Sequence, residues 1–126
     1  MKKILVDTSV WINHFKIQNE TLTELLKKRV VRTHPLVIGE IACGTPSERK
    51  LILAMLHKLE QVKHASDSNV LTLIENEKLY GHGCRIVDIT ILASCLITPE
   101  TEIWTIDKRL KALAERFNVM HQPTLH

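Results

Sequence analysis

Short unbroken apolar runs alternate with longer runs at helical spacing along this chain. The first short run, KILV at residues 3–6, stops at Asp7 and reads as a buried strand. Thr8 or Ser9 suits the cap of a short helix over 10–16. Residues 21–29 set Leu22, Leu25 and Leu26 at helical spacing and end on basic residues, which complement a helix C-terminus. A second strand is expected over 30–33. Pro35 suits the first turn of a helix to about Cys43, ended by Gly44-Thr45-Pro46. The next helix starts around Ser47 to Lys50 and shows Leu51, Ala54, Met55 and Leu59 on one face. A short strand over 61–64 follows. Asp67 or Ser68 then caps a helix through about Tyr80, with Val70, Leu73, Ile74 and Leu79 inward. Gly81-His82-Gly83 is the clearest loop. Residues 86–97 are apolar almost all round, which at that length predicts a buried helix closed by Pro99. A strand over 103–106 ends at Asp107, a helix covers 108–117, and 118–121 form a last edge strand.

This alternation predicts an α/β domain with a parallel central sheet. The chain is 126 residues long, with no repeat or linker, so one domain over 1–126 is expected.

Composition narrows the picture in three ways. Aromatics are only 4%, so the core must be built from Leu, Ile, Val and Ala. The three cysteines, Cys43, Cys84 and Cys95, form no CxxC pair, which argues against a disulfide framework or a zinc ribbon and for small apolar packing in a reducing compartment. No signal-peptide pattern opens the sequence, and no segment is apolar enough to span a bilayer, so a cytoplasmic protein is expected. A net charge of +3 is compatible with nucleic acid without demanding it.

The candidate chemistry lies in four acids. Asp7 follows ILV and Asp107 follows IWTI, so two strands end in the same way: apolar run, aspartate, helix. Parallel strands point one way and open sheets bind ligands beyond their carboxyl ends, so both aspartates are expected at one edge. Glu40 lies in the otherwise uncharged LVIGEIACG, and Asp88 lies near the start of the most apolar segment. A charge beside buried surface costs free energy unless it is paired, protonated or bound to a cation, and crowded carboxylates repel one another. Mg2+ or Mn2+, which prefer oxygen ligands, would relieve both problems. Each acid also has a simpler reading. Asp7 and Asp107 suit helix N-caps, Asp88 suits a first-turn acid at a helix dipole, and Glu40 could pair with Arg32. The set of four, not any one, argues for a metal site.

These residues resemble a known family. LVDTSVWI, IGEIACG, VDITILASCLI and WTIDKRL, in that order along nearly the whole chain, look like PIN-domain toxins of the VapC type. The resemblance implies a PIN-like, Rossmann-like three-layer sandwich with a mainly parallel central sheet flanked by helices, and a Mg2+- or Mn2+-dependent endoribonuclease that pairs with a cognate antitoxin and forms a homodimer. It implies Asp7, Glu40, Asp88 and Asp107 as the catalytic and metal-binding acids, with Thr8, Ser9 and Thr105 as hydroxyls that orient carboxylates or water. Ile91 and Leu92 are bulkier than the alanine-rich pattern of the third motif, a departure that touches packing and not the acids. Arg85, Lys108 and Arg109 flank the acids in sequence and are the candidates for RNA phosphate. Trp11 and Phe15, at helical spacing after the first strand, read first as core residues; by the same analogy that region and the helix over 21–29 could form a groove for an antitoxin helix. The histidines share no ligand spacing, and His82-Gly83-Cys84 is too short for a zinc site.

Two rivals remain. A HAD-type phosphatase wants an aspartate two positions after the first, where this chain has Ser9. A non-catalytic PIN-like module that binds RNA or protein would be marked by the loss of an acid, and none is missing.

Overall fold

In the computed structural model, which describes residues 1–123, three strands pair in parallel in the order β2-β1-β3. They are β1 (Lys3–Val6), β2 (Val31–Arg32) and β3 (Thr101–Trp104). Seven helices connect and surround them: α1 (Thr8–Lys16), α2 (Glu20–Lys27), α3 (Pro35–Ala42), α4 (Arg49–Lys58), α5 (Asp67–Glu77), α6 (Ile86–Ile97) and α7 (Lys108–Arg116). The fold is α/β with a parallel sheet, as the alternating pattern predicts.

β1 lies in the middle because its side chains tolerate burial on both faces. Leu5 pairs with Ile103 and Val6 with Trp104 on one side, and Ile4 pairs with Val31 on the other. Leu5 and Ile103 are wholly buried, and each such side chain contributes roughly 1.5–3 kcal/mol through burial. Thr33 bridges Gln61 and Ile103 bridges Met120, both in parallel, extending the sheet by one residue at each margin. The strands expected over 61–64 and 118–121 shrink to these single bridges. In the first segment only Val62 is buried, so nothing holds a longer run against the core.

Helix ends differ from expectation where capping groups compete. Asp7, not Thr8 or Ser9, caps α1 by accepting from the Ser9 amide at 3.3 Å. Ser66, not Asp67 or Ser68, caps α5 and exchanges bonds with Asn69. That helix stops at Glu77 rather than Tyr80 because Lys78 turns left-handed at φ 54°, which tucks Leu79 into the core. In α6 the stretch from Asp88 to Cys95 is buried apart from Thr90, while Ile86, Leu96 and Ile97 are exposed at its ends. The bulky Ile91 and Leu92 are core residues. The cysteines are free; Cys95 is buried and Cys84 half-buried, but Cys43 is exposed, contrary to the expectation of apolar packing. Among the described residues no helix is long and apolar enough to cross a membrane.

β3 ends two residues earlier than its apolar pattern suggests, at Trp104 instead of Ile106. The shift frees Thr105, Ile106 and Asp107 to turn across the carboxyl edge of the sheet. There the Asp7 amide donates to the Trp104 carbonyl at 2.9 Å, holding the two chain segments side by side.

Candidate metal centre

The carboxyl edge carries Asp7 after β1 and Asp107 after β3. Asp7 is 8% exposed, and one of its oxygens, Oδ2, takes every bond the protein gives it. Ser9 Oγ donates at 2.7 Å and Thr105 Oγ1 at 2.8 Å, with the Ser9 amide as a third donor. Each hydroxyl has one hydrogen, already spent on Asp7, so the 3.2 Å approach of Ser9 Oγ to Thr105 Oγ1 is a contact and not a further bond. The lone pairs of those hydroxyls are used too. Thr105 Oγ1 accepts from the Asp107 amide at 3.0 Å, and Ser9 Oγ accepts from the Ile106 amide at 3.2 Å. Asp7, Thr105 and Asp107 are thus one linked unit. Asp107 caps α7, its Oδ1 accepting from the amides of Arg109 and Leu110, both at 3.0 Å.

α6 runs into β3 and therefore antiparallel to it, so its first turn lies at the same carboxyl edge. Asp88, 3% exposed, sits in that turn. The Arg85 guanidinium donates to both of its oxygens, at 3.3 and 3.4 Å, and the Arg85 amide donates to Oδ2. Glu40 stands on the outer face of α3 and is exposed, although its neighbours Ile38 and Ile41 are buried. Thr8 Oγ1 donates to its Oε1 at 2.8 Å, tying it to the residue next to Asp7. The Glu40–Arg32 pair does not form; Arg32 meets Glu60 at 3.2 Å.

Electrostatics report the same gathering. The Arg85 guanidinium is held charged more firmly than usual, first by its hydrogen bond to Asp88 and by the Asp88 charge, then by Asp107 and Glu40. Three acids from α3, α6 and the α7 cap thus act on one cation, while Asp7 is bonded to the same unit through Thr105. The site is open, since the Arg85 side chain is 55% exposed. Lys108 and Arg109 are also exposed at the start of α7, and their side chains meet no carboxylate among the described residues.

Among the described residues no three His, Cys, Asp or Glu side chains stand close enough to hold one ion directly. The donor set still fits a hard cation. Mg2+ retains several waters and takes only one or two carboxylates from a protein. The protein bonds occupy Asp7 Oδ2 and Asp107 Oδ1, leaving Asp7 Oδ1 and Asp107 Oδ2 without a protein donor among the described residues.

Sequence reasoning placed Arg85 among free phosphate binders. It missed the ion pair with Asp88, whose signal was the three-residue spacing that lets both side chains meet over one helical turn. The groove expected from Trp11, Phe15 and the helix over 21–29 takes a different form. Trp11 is fully buried, and the cavity of about 290 Å3 on that side is lined by α1 and by the end of α3 with its following turn, including Ile12, Phe15, Ile41 and Pro46, with nothing from α2.

A family model described as PIN domain matches residues 4–116. The chain is similar to Ribonuclease VapC32 of Mycobacterium tuberculosis, from strain CDC 1551 / Oshkosh and from strain ATCC 25618 / H37Rv. Each is 41% identical over 109 residues, covering 86% of this chain and 88% of the relative.

Proposed function

Since the chain belongs to the PIN-domain family, we propose that it is an endoribonuclease of the VapC type, the toxin of a toxin–antitoxin pair, hydrolysing RNA with Mg2+ or Mn2+. The observation that carries this reading is the meeting of Asp7, Asp88, Asp107 and Glu40 at one sheet edge. Asp7 and Asp107 are the leading metal ligands, with Asp88 and Glu40 acting directly or through water. A bound divalent ion supplies a lowered pKa for water and offsets charge on the scissile phosphate.

The chain's own residues do the rest. Ser9 and Thr105 fix the Asp7 carboxylate in one rotamer by bonding a single oxygen. The amides of α7 do the same for Asp107. Thr8 steers the exposed Glu40 toward the edge. Acids repel an RNA phosphate, so cations must flank them; Arg85, Lys108 and Arg109 serve there. In-line attack by water on phosphorus leaves a 5′-phosphate and a 3′-hydroxyl. The apolar groove between α1 and the end of α3 is the seat for an antitoxin helix, and a homodimer in the cytoplasm completes the reading.

The test is cleavage of mixed single-stranded RNA with Mg2+, with Mn2+ and with chelator. Cleavage is expected only with a divalent ion. Asp7→Asn and Asp88→Asn are expected to abolish it while keeping a cooperative unfolding transition. Wild-type cleavage by either variant, or cleavage in chelator, refutes the reading.

A further inference from the structure

We infer that the cavity beside Asp107, between α7 and the 81–83 loop, is a nucleobase subsite that takes an unpaired base of the RNA next to the cleaved phosphodiester. This rests on the ribonuclease reading above and adds to it a seat for one base beside the cut, with a modest preference set by stacking.

The cavity measures about 470 Å3, inside the roughly 300–1,000 Å3 range of ligand pockets. Its floor is apolar, from Leu79, Cys84 and Leu113. Its rim is basic. Lys108 and Arg109 stand at the end nearest Asp107, and Ala112 lies one turn further along the same face of α7. Arg116 closes the far wall, where it donates to the Glu77 carbonyl at 2.7 Å and so braces α7 against the end of α5. His82 stands at the mouth on a loop whose flanking glycines turn at φ 78° and 75°, a conformation that costs glycine little.

An apolar floor with cations along its rim matches a nucleotide, which joins an apolar base face to an anionic phosphate. The imidazole of His82 and the guanidinium of Arg109 are both planar groups on which bases stack. No acid lines this cavity. The other cavity on α7 carries Glu102 and Glu115, and the groove by α1 carries Glu40, so both place carboxylates where a phosphate would have to pass. Position decides the rest. Lys108 and Arg109 follow Asp107 directly, and the Arg109 amide is bonded to that carboxylate, so a base lodged here belongs to a nucleotide adjoining the reacting one. A duplex keeps its bases stacked inside and cannot use such a site; a single strand or loop can.

The test cuts a random-sequence pool of single-stranded RNA with the full chain and Mn2+ and sequences the new ends. Stacking accepts every base and favours the larger purine faces, so purines are expected to be enriched over pyrimidines at one position beside the cut by about two-fold, the modest preference that stacking strength supports. Ala112→Trp fills the cavity from an exposed helical position and is expected to remove that enrichment with an unchanged urea midpoint. His82→Ala is expected to weaken it, and carries the test should the tryptophan variant fail to fold. An enrichment that survives both variants, or cutting with no preference at all, overturns the subsite while leaving the ribonuclease reading intact. Preference kept but antitoxin binding lost in Ala112→Trp overturns it in favour of a peptide occupant. A pool left uncut by the wild-type chain with every divalent ion defeats both readings.

Discussion

Thr105 is the residue through which the two strand-end aspartates communicate, and Thr105→Val isolates that role. The substitution keeps the β-branched shape and exchanges only a hydroxyl for a methyl group. Thr105 is 2% exposed, so water cannot replace what is lost. Two bonds disappear: the 2.8 Å donation to Asp7 Oδ2 and the 3.0 Å acceptance from the Asp107 amide. A hydrogen bond to a charged group contributes about 1.5–3 kcal/mol, and the Asp107 amide, being less buried, adds the lower part of an unsatisfied-donor penalty. The expected loss of stability is therefore about 2.5–4 kcal/mol. With a urea slope of roughly 2 kcal/mol per molar, the midpoint falls by about 1.2–2 M while the slope stays constant. Asp7 keeps its Ser9 donor but gains freedom to swing, so RNA cleavage is expected to fall about 10- to 100-fold, the usual cost of losing a partner that orients a ligand. Thr105→Ser retains the hydroxyl and is expected to recover most of the activity. Urea unfolding and initial cleavage rates at saturating Mn2+ measure both effects. A midpoint within about 0.3 M of wild type together with full activity would refute the coupling.

Three further expectations follow from other parts of the structure. Arg109→Ala removes one candidate phosphate contact, so the slope of log affinity for single-stranded RNA against log salt should fall by about 0.7; an unchanged slope means Arg109 does not meet the backbone. His34 accepts from the Leu36 amide through Nδ1 at 3.0 Å and meets Ser94 Oγ through Nε2 at 3.2 Å, an arrangement that needs the neutral ring. Burial, then the nearby His64, lowers its pKa to about 4 from 6.5. Between those values the unfolded chain binds the extra proton, so stability is complete above pH 6.5 and falls on acidification toward pH 4, by at most about 1.4 kcal/mol per pH unit. His34→Asn retains a capping oxygen and should flatten that limb of a urea-derived stability profile; an identical limb assigns it to other groups. Arg85→Gln removes a cation from among Asp88, Asp107 and Glu40, so Mn2+ should bind severalfold more tightly by calorimetry while RNA binds more weakly; unchanged Mn2+ affinity shows that Arg85 does not compete with the ion.

The sequence made the strand-end aspartates legible because the same local grammar occurs twice: an apolar run, an acid, then helix-forming residues. Parallel pairing follows from the helical crossovers, and with it the shared edge. What stayed hidden was set by partners distant in sequence. IWTI is apolar throughout, so nothing local says that pairing stops at Trp104 and leaves Thr105 to bond Asp7. α3 is so apolar that no single face stands out, and Glu40 looked buried by composition when it is exposed by geometry. The segments 61–64 and 118–121 have strand-like residues but only one bridged position each, because a margin strand exists only as far as its neighbour offers free backbone. Arg85 and Asp88 stand three residues apart, so their pairing is legible from spacing once residue 85 is known to stand at the start of α6.

The simpler roles of these acids do not compete with the proposed ones. Asp7 and Asp107 are helix caps, and Asp88 belongs to the first turn of α6, as each residue taken alone would suggest. A capping carboxylate uses one oxygen on the helix amides and leaves the other for a further partner. The N-terminus of a helix also carries a positive partial charge of about half a unit, so three helices that start at one edge partly neutralise the acids that cap them. Arg85 adds a full charge to the same place. The closeness of these carboxylates is therefore tolerated first by backbone geometry, and in the proposed function a divalent ion would serve the chemistry more than the integrity of the fold. The same geometry explains why the three aspartates share this edge, whereas Glu40, two residues from the end of α3, is tied to it by its bond with Thr8. In a parallel sheet, each helix that follows or precedes a strand presents its amides at the carboxyl edge, and an aspartate is the residue that edge best accommodates.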